Sequence, residues 1–282
     1  MTARQRLALL GAAAILIACG GVALSSTDLL AARAAVKRSD VVLLSNRYIS
    51  FGGFLWQVRD SNGTSQLPSG GPWSASPDNA WVDSKGALHL KVTVVNGKRI
   101  SAQLASVTPF SYGTYTWRVR LNPNKLDIYT VLGLFTYGPN TRGTAPNELD
   151  IEHGKFFSER KDGTASQFVV QPYHPTGHLH RFGVPNSAVD RIEQIVWQPR
   201  RVDFTVTNAL EPHAPAIAKW TFSTPTEVPV FYGDRLCMNY WSYQPAKGRP
   251  LKPPVDEVVI ESFSFTPKIP LGLSAIPATS TQ

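Results

Sequence analysis

The pattern that most constrains this chain is a series of short segments in which apolar and polar side chains alternate. These segments recur from Trp81 to Phe265 and are separated by turn residues. Alternation places successive side chains on opposite faces of an extended strand, and no segment in this range keeps a helical period over three turns. The sequence therefore predicts an all-β protein whose antiparallel strands form two packed sheets, a β-sandwich or jelly roll.

The predicted strands are separated by recognisable turns and by one long loop. Asn96-Gly97 supplies the positive φ angles of a two-residue hairpin turn. Gly, Ser, Pro and Asn are frequent in residues 60–80, which predicts a long loop around Trp73. The predicted strands are Leu88–Val95, Tyr115–Leu121, Thr130–Tyr137, Glu148–Glu152, Gln167–Gln171, Gln194–Trp197, Val202–Val206, Ala218–Phe222, Leu236–Trp241 and Glu257–Phe265.

One predicted strand carries three carboxyl groups. Glu148, Asp150 and Glu152 alternate with apolar Leu149 and Ile151, so the acids share one face and the aliphatic side chains lie on the other. Like charges this close repel each other, and local conflicts of this kind are typical of functional sites. His153 continues the alternation and is predicted to be buried behind the acids.

Two carboxyl groups are the usual requirement for hydrolysis of a glycosidic bond: one donates a proton, and the other attacks the sugar or activates water. The Cα atoms of Glu148 and Glu152 would lie about 13 Å apart on an ideal strand. Retaining glycosidases place the two carboxyl groups about 5–5.5 Å apart, which predicts a concave, twisted sheet. Asp150 can hydrogen-bond one glutamate and separate the pKa values of the pair. Calcium binding by the three carboxylates is the alternative.

Aromatic and amide side chains on other predicted strands share one face by the same parity. Each pair is suited to packing an aromatic ring against a sugar and hydrogen-bonding to its hydroxyl groups. A single pair of this kind nevertheless belongs more often to a core. Together with the acids, they favour a cleft for a polysaccharide. The pairs are Phe135 with Tyr137, Gln171 with Tyr173, and Asn239 with Trp241.

The segment Phe135-Thr136-Tyr137-Gly138-Pro139, followed by Glu148-Leu149-Asp150-Ile151-Glu152, resembles the signature of glycoside hydrolase family 16, the lichenase and laminarinase group. The resemblance covers about Tyr48 to Pro267. It implies a concanavalin A-like jelly roll with a concave catalytic cleft and a retaining double displacement. Glu148 then resembles the nucleophile, Asp150 the assisting aspartate and Glu152 the general acid/base. The implied substrate-binding residues are Arg118, Phe135, Tyr137, Gln171, Tyr173, Asn239 and Trp241.

The sequence departs from the lichenase pattern at two positions. Thr116 stands where lichenases carry a glutamate, and Pro146 stands near the position of an aromatic side chain. The bond-cleaving residues are thus present while the residues that select the sugar differ. The acidic motif also lacks the extra residue of many laminarinases, which predicts a regular strand without a bulge.

The function expected from these features is that of a retaining endo-β-glycanase acting on a polysaccharide, with a β-glucan favoured. A transglycosylase that uses the same residues and a non-catalytic carbohydrate-binding jelly roll are the alternatives. No cofactor is expected, a structural calcium ion stays open, and the protein is expected to be a monomer. Basic residues are scattered rather than clustered, which argues against a nucleic-acid partner. His174, His178 and His180 predict a loop bordering the cleft rather than a metal site.

The N-terminal segment has a different composition from the rest of the chain. Two arginines precede an apolar run from Leu7 to Leu24, which predicts that residues 1–40 are a signal peptide or a membrane anchor. Leu16-Ile17-Ala18-Cys19 resembles a lipobox, so lipid anchoring at Cys19 is the third option. All three predict export, with membrane contact through this segment alone. Residues 41–267 are the predicted domain, and residues 268–282 a flexible tail.

Overall fold

The computed structural model describes residues 44–138, 147–156, 163–244 and 257–268. The predictions for residues 1–40, for Cys19, for Pro146 and for the tail beyond Lys268 lie outside these ranges. The strands are β1 Leu44–Phe51, β2 Phe54–Arg59, β3 Ala80–Val82, β4 Leu88–Lys91, β5 Thr93–Val95, β6 Lys98–Ile100, β7 Ala102–Ser106, β8 Gly113–Arg120, β9 Thr130–Gly138, β10 Asn147–Gly154, β11 Ser166–Val170, β12 Leu179–Phe182, β13 Asp190–Gln198, β14 Arg201–Asn208, β15 Ala218–Phe222, β16 Arg235–Ser242 and β17 Glu257–Pro267.

The strands form two large antiparallel sheets and one separate hairpin. Sheet I has the spatial order β1-β2-β7-β16-β9-β10-β11-β12, and sheet II has the order β15-β14-β13-β8-β17-β4-β3. Strands β5 and β6 pair only with each other. Side chains from both sheets meet in one hydrophobic cluster, which confirms the predicted β-sandwich. A short 3-10 turn, Pro123–Lys125, follows β8. Within the described ranges, no helix has the length and hydropathy needed to cross a bilayer.

The core explains why the acids face outward. Tyr115, Trp117 and Val119 of sheet II and Leu149 and Ile151 of sheet I all have 0% of their surface exposed and belong to the same cluster. Because strand side chains alternate, the residues between Leu149 and Ile151 and on either side of them must lie on the opposite, outer face of sheet I. The alternation in β10 therefore fixes which surface carries the three carboxyl groups.

A buried polar network joins the two sheets beneath β10. The Nε2 atom of His153 donates to Glu193 Oε2 at 2.9 Å, and Arg191 Nε donates to Glu193 Oε1 at 3.1 Å. Ser166 Oγ lies 2.7 Å from His153 Nδ1. Burial lowers the pKa of His153, so the imidazole is neutral and its Nδ1 atom accepts from the hydroxyl. The predicted burial of His153 behind the acids is confirmed, since its exposed fraction is 0%.

The sequence predicted most strands of the sandwich but missed several. The single strand expected from Leu88 to Val95 is divided into β4 and β5, and Asn96 and Gly97 have the expected positive φ angles of 49° and 73° in the turn that follows. The structure adds β1, β2, β3, β7 and β12, which the alternation did not indicate.

The histidine segment is not the expected loop along its whole length. His180 lies in β12 with its ring 5.9 Å from that of Trp220, and His178 is buried, with its Nδ1 atom donating to Val170 O at 3.0 Å. Only His174 is exposed. The loop prediction is therefore wrong for His180, which lies in β12 beside aromatic rings, whereas His178 lies in the loop before β12 but is buried.

Candidate active site

The outer face of sheet I that carries Glu148, Asp150 and Glu152 is called the acid face below. Tyr137 of β9 lies opposite Glu148, and Phe135 lies opposite Asp150. The register of β10 with both β9 and β11 is continuous, so the predicted regular strand is confirmed. Asp150 is 3% exposed, whereas both glutamates keep a larger exposed fraction. The glutamates are thus open to a ligand on either side of a nearly buried aspartate.

Strand β16 brings two further predicted residues to the acid face. Asn239 lies opposite Gly133 of β9, which in turn lies opposite Glu152. Trp241 packs with Val131 and Trp73 in a cluster on this face. A Cβ atom at Gly133 would lie 2.6 Å from Asn239 Oδ1, so the absence of a side chain there is what lets the amide lie beside Glu152.

Gln171 and Tyr173 follow β11 at one end of the acid face. The Nε2 atom of Gln171 donates to Asp150 Oδ2 at 3.2 Å, and its backbone N–H donates to Glu148 O at 3.1 Å. The backbone N–H of Tyr173 donates to Gln171 Oε1 at 3.1 Å, and its side chain is 51% exposed. Gln171 therefore contacts the acids directly, while Tyr173 lies next to it with an exposed ring that packs against His174.

The structure does not bring Arg118 to the acid face. Trp117 and Val119 of β8 point into the core, so Arg118 lies on the outer face of sheet II. Its guanidinium donates to both carboxylate oxygens of Asp190, at 2.9 and 2.7 Å. Thr116 shares this outer face, so it does not line the acid face either. Parity predicts which residues of one strand share a face, but it does not predict the sheet to which the strand belongs.

The sequence did not reveal four polar residues of sheet I that lie at the level of Glu152 or contact it. Gln167 Nε2 donates to Glu152 Oε2 at 2.6 Å, and Arg59 donates to Gln103 Oε1 at 2.9 Å. Strand register, together with the hydrogen bond between Arg59 and Gln103, places them in one row that crosses sheet I at the level of Glu152. The row can be recognised only once β7 and β12 are known to belong to sheet I. Its members, in order from β2 to β12, are Arg59, Gln103, Asn239, Gly133, Glu152, Gln167 and Arg181.

The three carboxyl groups have different proton affinities. Burial raises the pKa of Glu148 to about 7, although a hydrogen bond from Asp150 acts in the opposite direction. Burial and the charges of Glu148 and Glu152 raise the pKa of Asp150 well above its ordinary value, and its hydrogen bond to Glu148 acts in the same direction. Burial also raises the pKa of Glu152, and this rise is opposed by Gln167 and by the positive charge of Arg181. The group can thus hold a charged and a protonated acid side by side.

This protonation links stability to pH. Because the folded-state pKa of Glu148 is raised from 4.5 to about 7, the folded protein binds the proton more tightly than the unfolded chain does. The resulting stabilisation is present below the unfolded pKa and is lost as the pH rises through the folded value. We expect Glu148→Gln, which cannot ionise, to raise Tm at about pH 8 and to have a smaller effect at about pH 4. Glu211→Gln, which changes an exposed side chain, is the control. A Tm change in Glu148→Gln that is equal at both pH values would contradict the expectation.

Comparison with known proteins gives a consistent structural result. No protein-family model matches the sequence, and no curated protein is significantly similar to it. The Bacillus licheniformis β-glucanase structure matches with a TM-score of 0.58 and 21% identity, over 79% of this chain and 98% of that one. A Bacteroides ovatus family 16 endo-glucanase, solved in complex with G4G3G-2F-DNP, matches with a TM-score of 0.56 and 12% identity, over 75% and 94%.

A third similar structure is described as a pseudo β-1,3-glucanase of Mycobacterium tuberculosis. It matches with a TM-score of 0.52 and 16% identity, over 73% of this chain and 88% of that one. All three identities are low, so the matches bear on the fold and not on activity. They confirm the resemblance seen in the motifs: this chain has the jelly-roll fold of the glycoside hydrolase family 16 glucanases.

Proposed function

We propose that this protein is an exported glycoside hydrolase that cleaves internal β-linkages of a polysaccharide with retention of configuration. The observation that carries the proposal is that Glu148 and Glu152 lie partly exposed on the same face of β10, on either side of the nearly buried Asp150. The family 16 fold supports it, because the similar structures include glucanases. The apolar segment within residues 1–40 supports export.

In the proposed reaction Glu148 attacks the anomeric carbon while Glu152 donates a proton to the departing oxygen. This step forms a covalent bond between sugar and Glu148 and releases one part of the polysaccharide. Glu152 then takes a proton from water, which attacks the same carbon and frees Glu148. Asp150 stabilises the charged form of Glu148 through its hydrogen bond, because a donor favours the carboxylate. The mechanism needs no cofactor.

The sugar would lie across the strands of sheet I. Tyr137 and Tyr173 offer aromatic surface at the Glu148 end, and Asn239 offers an amide beside Glu152. Phe135 and Trp241 are nearly buried, so they support the floor rather than the rim. These residues favour a β-glucan or a related neutral polysaccharide. If another sugar replaced water in the second step, the same residues would perform transglycosylation.

A non-catalytic carbohydrate-binding protein is the second candidate. The observation that favours it is the positive charge of Arg181, which limits the rise in the pKa of Glu152 and so opposes the protonated form that the first step requires. The pseudo-glucanase among the similar structures shares this fold. Binding without cleavage of every polysaccharide tested would favour this candidate.

The test is incubation of the full chain with mixed-linkage glucan, laminarin, agar and carrageenan, followed by sizing of the products. We expect a fall in polymer length, with products that first appear in the β-anomeric form by NMR. The Glu148→Gln variant prepared in the same way controls for contaminating hydrolases. Intact polymer in all four incubations, or initial α-anomers, would contradict the proposal.

Gln167 is expected to set the pH range of the reaction. Its amide N–H stabilises the charged form of Glu152, so Gln167→Leu should raise the pKa of Glu152. The alkaline limb of the kcat/KM profile should then move to higher pH, because the protonated acid persists longer. Gln194→Leu is the matched control, since Gln194 donates to Thr116 on the outer face of sheet II. An unmoved alkaline limb in Gln167→Leu would contradict this role.

A further inference from the structure

A second concave site lies between the 60–79 loop and the β5–β6 hairpin. This groove has a volume of about 950 Å³, which is within the range of ligand sites. Glu148, Asp150 and Glu152 do not line it. Trp73 connects the two regions, since it lines the groove and also packs with Val131 and Trp241 on the acid face. The groove therefore begins beside the acid face but is distinct from the three acids.

The walls of the groove are held by hydrogen bonds. The backbone N–H groups of Ser61 and Trp73 donate to Trp73 O and to Ser61 Oγ, both at 3.0 Å. Asp60 Oδ2 accepts from the backbone N–H of Ala75 at 3.0 Å. Asn79 Nδ2 donates to Lys91 O and to Thr93 Oγ1, each at 3.0 Å. The loop is thus tied to itself and to the hairpin, so a ligand would meet a preformed surface.

Trp81 provides a fixed aromatic surface in this groove. Its ring stacks on that of His89, with 4.8 Å between centroids and 12° between planes. His89 is itself held by Asp83 at 3.2 Å and by Glu257 at 3.1 Å. Trp81 remains partly exposed. A flat apolar surface of fixed orientation is suited to the C–H face of a sugar ring.

The charges around Trp81 favour a neutral ligand. Asp60 and Asp78 line the groove together with Lys91 and Lys98, so acidic and basic side chains balance. A charged ligand in the groove would be attracted by the two side chains of opposite charge and repelled by the two of like charge. A molecule with many hydroxyl groups can donate to the carboxylates and accept from the ammonium groups. An uncharged sugar with a flat apolar face meets all of these requirements.

We propose that this groove is a second carbohydrate-binding site, which holds a neutral segment of the same polysaccharide outside the catalytic face. The identity of that polysaccharide rests on the proposed function. A second site on the same domain raises the effective concentration of the polymer at the acid face. Short oligosaccharides that occupy only the acid face gain nothing from it.

The test compares Trp81→Ala with Leu210→Ala, a control that removes an exposed apolar side chain from the turn after β14. Both are made in the full chain that also carries Glu148→Gln. Affinity electrophoresis in gels that contain laminarin or mixed-linkage glucan should show binding about 3- to 10-fold weaker for Trp81→Ala. The control should bind like its parent. Equal retention of the two variants in both gels would overturn the proposal.

NMR provides a second measurement that does not depend on the folding of Trp81→Ala. The indole N–H signal of Trp81, identified by its loss in Trp81→Phe, should shift when laminarin or mixed-linkage glucan oligosaccharides are added to Glu148→Gln. An unmoved signal with both probes would overturn the proposal. If the Trp81 signal shifts but the chain without Glu148→Gln cleaves no polysaccharide, the second site is supported and the proposed function is contradicted. Failure of the second site is therefore distinguishable from failure of the proposed function.

Discussion

Replacing Glu148 with alanine is expected to reduce kcat on the order of 10⁴-fold or more, as loss of a covalent nucleophile does in other enzymes. Glu148 is the acid that accepts the hydrogen bond of Asp150, and no described carboxyl group other than Asp150 and Glu152 shares this part of the acid face. The measurement is turnover of an aryl glycoside. Unchanged circular dichroism would show that the fold persists. A variant with full activity would remove Glu148 from the mechanism.

Added azide should identify the separate roles of the two glutamates. In Glu148→Ala, azide can enter the space left by the carboxylate and attack from that side, which gives a glycosyl azide of inverted configuration. Glu152→Ala should lose about 10²- to 10⁴-fold on substrates that need a proton at the leaving oxygen. There the covalent intermediate still forms, so azide should give the retained product. The opposite assignment of products would exchange the roles of the two glutamates.

Replacing Glu193 with glutamine is expected to lower the free energy of unfolding by about 3–5 kcal/mol, because it leaves the charge of Arg191 buried without its carboxylate. Glu193, Arg191 and His153 each have 0% exposure. Burial alone would raise the pKa of Glu193, but the neighbouring His153 and Arg191 outweigh it and lower this pKa. Urea unfolding monitored by tryptophan fluorescence measures the effect.

The control for this prediction is Asp203→Asn, which removes the carboxylate of an ion pair with the exposed Arg201 on β14. Its effect should be far smaller, because water replaces the lost partner. Similar losses in the two variants would show that burial of the network is not what makes it important. The pair of measurements also separates stability from catalysis, since Glu193 lies on the core side of sheet II, away from the acid face.

The sequence predicted the acids better than their surroundings for a physical reason. Glu148 and Glu152 are placed by the local alternation of a single strand, which the core side chains Leu149 and Ile151 enforce. Gln103 belongs to β7, a strand of five residues that are all buried and in which Ala105 interrupts the alternation of apolar and polar side chains. Its position beside Asn239 depends on pairing between segments far apart in the chain.

The same dependence on strand pairing explains why the sequence did not predict the positions of Arg181 and Arg118. Arg181 lies in β12, a short strand whose histidines and flanking glycine suggested a loop. Arg118 was expected in the cleft from the resemblance alone, but β8 belongs to sheet II and carries it away from the acid face. Local pattern thus predicts which side chains alternate, whereas the composition of a site also depends on sheet order. That order is a property of the whole chain and is only weakly encoded in any one segment.

The order of strands in sheet I also determines when this site can exist during synthesis. Strand β16 (Arg235–Ser242) lies in sheet I between β7 (Ala102–Ser106) and β9 (Thr130–Gly138), both of which the ribosome makes much earlier. Until β16 emerges, the facing edges of β7 and β9 have no partner, and Asn239 is absent from its place beside Glu152. A chain shortened before β16 would keep all three acids in its sequence yet lack the strand that joins β7 to β9 in sheet I. The acid face is therefore completed only after most of the described chain, up to β16, has been translated.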